Sequence, residues 1–345
     1  MFLKKKFFLF LISGVLFGLS SCKDEDPIES SIYEDGIFIT NEGPFQNGTG
    51  TISFYSRKTG TMTNNIFQES NDGEELGNIV HSMTIHNDLA YIVVNNANKI
   101  VIANATNFRK VGEITNLELP RYFLPVSEDK AFVSQWGADG TTGSIKVIDL
   151  TTNKVSNTID VRPGPESMIK INGFVYVTNS GGFTADSVIT KIDISSEAVV
   201  KTIEVGQGPD FIVSDNNSDL WVLGHGNYLN GGNGALSKLS NDNLVLSMET
   251  TIGAADLNIN NEGNLLYFGM NGVTYKHDIS ATSISTSPFI SRYFYGFGID
   301  SQTGDIMALD AKDFLQNGQM FIYDTDGTVL DSIGVGLAPG GFWFD

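Results

Sequence analysis

The sequence predicts an all-β fold, a seven-bladed β-propeller closed by pairing of the C-terminal strand with the N-terminal blade. Three observations carry that expectation. The first is an apolar-aromatic strand that recurs seven times, as Ile37-Phe38-Ile39, Ala90-Tyr91-Ile92, Ala131-Phe132-Val133, Val175-Tyr176-Val177, Leu220-Trp221-Val222, Leu266-Tyr267-Phe268 and Ile306-Met307-Ala308, at intervals of about 40 to 53 residues. The second is what lies between these strands. Short runs of β-branched and aromatic residues are separated by turn signals such as Asn172-Gly173, Asn271-Gly272 and Asp326-Gly327, and no helical period appears. The third is size: about 310 residues beyond the leader outgrow one ordinary hydrophobic core, so the chain must split or repeat.

At the start of the chain, Lys4, Lys5 and Lys6 precede an apolar run from Phe7 to Leu19. That run has the length of a signal-peptide core and is too short to span a bilayer as a helix, which takes about twenty residues. Leu19-Ser20-Ser21-Cys22 follows, with small residues ahead of the only cysteine. The pattern resembles the bacterial lipobox. The resemblance implies a signal peptide over residues 1–21, acylation of Cys22, and a tether over residues 22–32. The alternative is ordinary secretion with Cys22 as a free thiol; one cysteine excludes a disulfide within the chain. Lys23-Asp24-Glu25-Asp26 is similar to the lysine-plus-acidic signal that takes Bacteroidetes lipoproteins to the outer face of the outer membrane. The expected location is therefore the outer membrane, lipid-anchored and facing the cell exterior. Without Lys4, Lys5 and Lys6, 18 of the 21 basic residues remain against 40 acidic ones, a net charge of −22. Such a domain is repelled by phosphate backbones and anionic lipid. That excludes nucleic acid and leaves membrane attachment to the lipid anchor alone.

Residues 33–345 carry the repeat. Its sharpest unit runs from Lys130 through Ala131-Phe132-Val133, a polar glycine-rich loop, Ser144 to Leu150, a Thr-Asn turn, Lys154 to Val161, and Pro163-Gly164-Pro165. The next unit matches it position by position, ending in Gly208-Pro209. Four short antiparallel strands per unit, repeated radially, make a propeller, because a single blade cannot bury both its faces but a blade between two neighbours can. The recurring strand is strand B of each blade, with an inner strand A before it, such as Glu166 to Ile171 or Asp210 to Asp215. The first strand B, at Gly36, has no strand A before it, and the last strand A, Gly341 to Asp345, has no strand B after it. The terminal segment is therefore expected to complete the first blade beside strands B, C and D from Gly36 to about Phe67, leaving no open edge.

These residues also carry a family resemblance. Val147-Ile148-Asp149, Val155, Thr158-Ile159, Val161 and Gly164-Pro165 resemble the repeat of YVTN/YncE-like propellers. With Phe38-Ile39-Thr40-Asn41-Glu42-Gly43, Tyr91-Ile92-Val93-Val94-Asn95-Asn96 and Pro120-Arg121-Tyr122, the chain is similar to a Bacteroidetes subgroup of surface lipoproteins. Some of that subgroup capture cobalamin and pass it to a TonB-dependent transporter. The resemblance implies a bound corrinoid as ligand, such a transporter as partner, and no catalytic cofactor.

The residues themselves show no catalytic constellation. The four histidines, His81, His86, His225 and His277, form no metal-binding or Cys–His spacing. His225 lies in the glycine-rich loop Gly224-His225-Gly226-Asn227-Tyr228, where an exposed histidine is the ordinary expectation. No G-x-S-x-G elbow supports a hydrolase. Loop length is more informative. The B–C and D–A connections emerge on one face, and the B–C loops are long at Asn41–Gly50, Gln135–Gly143, Asn179–Ser187, Gly224–Gly234 and Asp310–Gln319. They carry Phe45, Trp136, Phe183, Tyr228 and Phe314; the D–A side adds Arg121, Tyr122, Arg292, Tyr293 and Tyr295. Large rings in polar loops mark a contact surface or a plug over the channel. A corrinoid, a broad apolar ring edged with amides, would stack on such rings and meet side-chain amides. The candidate ligand-binding set is Asn41, Phe45, Asn95, Arg121, Tyr122, Gln135, Trp136, Asn179, Phe183, His225, Tyr228, Tyr293 and Phe314. The competing readings are a protein-interaction scaffold of a transport complex with no small ligand, and a propeller hydrolase or lyase.

Overall fold

A computed structural model describes residues 32–345; Cys22, the leader and the tether up to Ser31 lie outside the described residues. All seven recurring segments are strands B: Gly36–Asn41, Leu89–Val94, Lys130–Gln135, Phe174–Asn179, Leu220–Gly224, Leu265–Met270 and Ile306–Asp310. Each belongs to its own antiparallel sheet, and the seven sheets are the blades, numbered here by strand B in chain order.

The packing explains why these strands read as unbroken apolar runs. Successive side chains of a strand point to opposite faces, and in a blade both faces meet a neighbour. Ile37 and Ile39 join a cluster with Met307, Leu309 and Met320 of blade 7, whereas Phe38 between them joins Met83, Ile92 and Phe108 of blade 2. Leu220 and Val222 pack with Tyr176 and Ile189 of blade 4, while Trp221 and Leu223 pack with Leu266 and Phe268 of blade 6. The core is thus divided into apolar layers, one at each interface between blades.

Ring closure follows the expected route. Pro339–Phe344 is strand A of blade 1, pairing Ile37 with Phe344, Phe38 with Trp343 and Ile39 with Phe342. These three rings are half-buried rather than enclosed, because an innermost strand has the channel on one side. Two details differ from expectation. In blade 1 strand D ends at Thr63, and Asn65 in the left-handed region (φ 59°) turns the chain into a short helix, Ile66–Ser70, whose Ile66 and Phe67 plug the interface with blade 2. Blade 6 has three strands, Ala255–Ile259, Leu265–Met270 and Val273–Asp278. In place of its strand D runs a Ser/Thr-rich segment containing Pro288, which has no N–H to give a ladder; the segment bonds back to the sheet at Thr274, through Phe289, Ile290 and Arg292.

Candidate functional site

The site is built by a defect repeated around the ring. Pairing of strand A with strand B slips between Val80 and Ser82, Pro120 and Phe123, Pro165 and Met168, Pro209 and Phe211, and Ala255 and Asn258. A bulge leaves its extra residues out of the ladder and re-aims their side chains. The residues set free include His81, Arg121, Tyr122, Glu166, Asp210 and Asp256. Local sequence forces the geometry. Gly164 and Gly208 precede Pro165 and Pro209 at φ 62° and 63°, and a Cβ on Gly164 would lie 2.0 Å from the Gly182 nitrogen. Ile79 and Leu119 take the same left-handed turn at φ 59° and 49°, a strain of about 1 kcal/mol or more per residue held beside the site.

Of these residues His81, Arg121, Tyr122, Asp210 and Asp256 line a cavity of about 310 Å³ at the channel mouth, together with Glu42, Tyr228, Tyr293 and Tyr295. Glu166, 2% exposed, stands behind Arg121 and accepts from its Nε at 2.7 Å. Arg121 also lies 4.5 Å from the Trp136 ring centroid, a cation–π contact. The mouth therefore holds four carboxyls, on Glu42, Glu166, Asp210 and Asp256, against one guanidinium. Burial pushes Glu166 up to about 7 despite the Arg121 charge, and Asp210 up to about 6. Asp256 is likewise raised well above the ordinary aspartate value, by burial and by Asp210. Burial also raises Glu42, although Tyr295 donates to its carboxyl at 3.1 Å. His81 is held neutral by burial and by Arg121. Perturbed groups gathered in a cleft are the usual mark of a functional site.

Two further depressions adjoin this one. The first, about 340 Å³, shares Glu42, His81, Arg121 and Tyr295 and adds Phe45, Asn95, Trp136 and Phe183. The other, about 420 Å³, runs from Phe183 to His225, Tyr228 and Leu229. Trp136 and Phe183 meet edge to face at 5.4 Å, and His225 stacks on Tyr228 at 5.2 Å. Ten of the expected residues fall in this surface or beside it: Phe45, Asn95, Arg121, Tyr122, Trp136, Phe183, His225, Tyr228 and Tyr293 line the three depressions, and Phe314 packs against Tyr295 at 4.9 Å.

The amides behave differently. Asn41, Gln135 and Asn179 are buried at the ends of strands B and spend their Nδ2 or Nε2 groups on the fold, on Ser53 and Thr51, on Ser144, and on the Arg162 carbonyl. They line none of the three depressions, since an amide at a strand end is needed to hold the loop that leaves it. Asn95 reaches the rim but gives its Nδ2 to the Pro120 carbonyl. Arg121 and Tyr122 belong to strand A, Pro120–Pro125, rather than to a loop. His225, expected in the open, is half-buried, and its Nδ1 is enclosed without a partner. Sequence reasoning did not gather Glu42, His81, Glu166, Asp210 and Asp256 into a site. A signal existed: Arg121, Glu166 and Asp210 each directly follow the proline that opens strand A in their repeat.

The family described as "Domain of unknown function (DUF5074)" matches residues 35–344. No curated protein matches the chain. Solved structures that share the fold include a quinonprotein alcohol dehydrogenase-like protein of Bacteroides thetaiotaomicron VPI-5482, 16% identical with a TM-score of 0.66 over 90% of this chain and 78% of that one. The periplasmic gluconolactonase of Pseudomonas aeruginosa is 14% identical with a TM-score of 0.59, over 89% of this chain and 98% of that one. Hydrazine synthase of Kuenenia stuttgartiensis is 13% identical with a TM-score of 0.57, over 78% and 92%. At these identities the likeness is one of fold.

Proposed function

This chain belongs to the DUF5074 family, and from that premise we propose that it is a non-catalytic, lipid-anchored protein of the outer-membrane surface that binds a ligand on the loop face of its propeller. The observation that carries this reading is the merging of three depressions around Arg121, Phe183 and Tyr228 under an aromatic rim. Phe45, Phe183 and Tyr228 are 75%, 65% and 66% exposed, so the core has no use for them, and rings left in water on a concave surface mark a contact. The corrinoid implied by the sequence resemblance suits this face. Its ring would lie on Trp136, Phe183 and Tyr228, and its peripheral amide N–H groups would donate to Glu42, Asp210 and Asp256. These carboxyls would be acceptors, whereas the sequence points to Asn41, Gln135 and Asn179 as donors. Leu229 and Leu315, 70% and 85% exposed at loop tips, offer a TonB-dependent transporter its hold.

Titration with cyanocobalamin tests the reading. Anchoring rings in an interface commonly contribute 2 kcal/mol or more, so Trp136→Ala and Tyr228→Ala are each expected to weaken binding by roughly thirtyfold with unchanged melting temperature. Folded variants that bind as tightly as the parent would remove the loop face from consideration. The anchor is tested separately: Cys22→Ala is expected to move the protein from the membrane to the soluble fraction, and retention in the membrane would refute acylation there.

A further inference from the structure

We propose that the channel mouth is a site for a small organic cation, an ammonium group enclosed by tyrosine rings and paired with Asp210 and Asp256. The inference rests on the loop-face reading for its place but not for its ligand. The Asp210 and Asp256 carboxyls line the cavity, and neither makes a hydrogen bond or ion pair among the described residues. The one guanidinium nearby forms an ion pair with neither: Arg121, whose charge only tempers the rise of Asp210, is engaged by Glu166 at 2.7 Å and by the Trp136 ring. Carboxyls half-buried without a cationic partner are costly unless protonated or paired.

The remaining wall suits a cation that is not a metal ion. Tyr122, Tyr228, Tyr293 and Tyr295 line the same cavity, and an ammonium group is attracted to aromatic faces, the basis of aromatic cages for methylated amines. The His81 and His225 rings line the same wall, and burial lowers the pKa of both, so neither adds a competing positive charge. No group of three His, Cys, Asp or Glu side chains that could hold a metal ion occurs among the described residues. A volume of about 310 Å³ accommodates a small ammonium compound with room for water.

The groups facing Asp210 and Asp256 set the pH dependence. They are the acids Glu42 and Glu166, the base Arg121, the neutral His81 and His225, and the four tyrosines. Asp210, raised to about 6, carries a proton near pH 5, and Asp256 is raised in the same direction. A permanently charged ammonium favours their ionised forms. Binding should therefore tighten as pH rises from 5 to 8, through the range of Asp210 at about 6.

Isothermal titration of the full chain with choline chloride, against its uncharged isostere 3,3-dimethyl-1-butanol, tests the proposal. Choline is expected to bind about tenfold or more tightly than the isostere, and Asp210→Asn and Asp256→Asn, with melting temperatures checked, each to lose about tenfold. Equal affinity for choline and the isostere, no choline binding at millimolar concentration, or folded variants that bind like the parent would overturn it. Cyanocobalamin titrated into the same samples separates the two claims. Corrinoid binding without choline binding sinks the cage alone, and choline binding without corrinoid binding sinks the corrinoid reading alone.

Discussion

Deletion of Gly341 to Asp345 is expected to leave the protein insoluble, or folded with a melting temperature lowered by 10 °C or more. The segment is most of strand A of blade 1, and without it Gly36–Asn41 becomes an open edge of apolar residues. Phe342 and Phe344 pack on the layer with blade 7, and Trp343 on the layer with blade 2. Half-buried rings contribute less than enclosed ones, so the three are worth roughly 3–5 kcal/mol by transfer estimates. The terminal residue adds to this. Asp345 donates its N–H to the Gly36 carbonyl, and its own carbonyl accepts from Gln302 Nε2 at 2.8 Å and from Arg57 at 3.2 Å. A loss of this size approaches the net stability of a whole domain. Thermal melting of the truncated chain checks it; an unchanged melting temperature would refute closure through this strand.

Arg57→Ala is expected to destabilise by about 3–5 kcal/mol, the usual cost of stranding a buried charge. Arg57 of blade 1 reaches across to Asp300 of blade 7, donating from Nε at 2.8 Å and from a terminal nitrogen at 3.0 Å. The Asp300 side chain is 1% exposed and that of Arg57 10%, so removal of the guanidinium leaves a buried carboxylate without its cation. The pair also links Asp35 and Asp345, and so binds the first blade, the last blade and the chain terminus together. Burial alone would raise Asp300, yet the Arg57 contacts and the Gln302 N–H hold it below the ordinary aspartate value of 3.8. A depressed carboxyl stabilises above its unfolded value and loses that contribution as pH falls through its folded one. The parent should therefore lose this increment only below about pH 4, and denaturant melts of Arg57→Ala should lack that acid step. A variant as stable as the parent at pH 7 would show that closure does not depend on the pair.

Much of this architecture was legible in the residues because propeller blades leave a periodic trace. Each strand B is buried on both faces, so runs such as Ala90-Tyr91-Ile92 stand out from the polar loops, and an unmatched strand A at the C-terminus implies closure. Blade 6 departed because nothing in its first strands reports that the fourth will be interrupted by Pro288. The aromatic rim was legible for a related reason, as Phe183 and Tyr228 are out of place in polar loops. The carboxyls of the mouth were not. Glu166 and Asp210 lie inside strands whose alternation does not mark them, and only the slip in pairing after Pro165 and Pro209 turns them into the channel. That Asn41, Gln135 and Asn179 bond within the fold was not legible, because an Asn or Gln at a strand end looks the same in sequence whether it meets a ligand or its own chain.

Hydrogen–deuterium exchange with and without saturating cyanocobalamin tests the binding claim most directly, since it reports where a ligand sits without altering a residue. The account predicts slower exchange in residues 136–142, 180–187 and 225–234, all on the loop face, and no change in the turns at Asn172-Gly173 and Asp326-Gly327 on the opposite face. Protection confined to those opposite turns, or no protection anywhere at saturation, would contradict it.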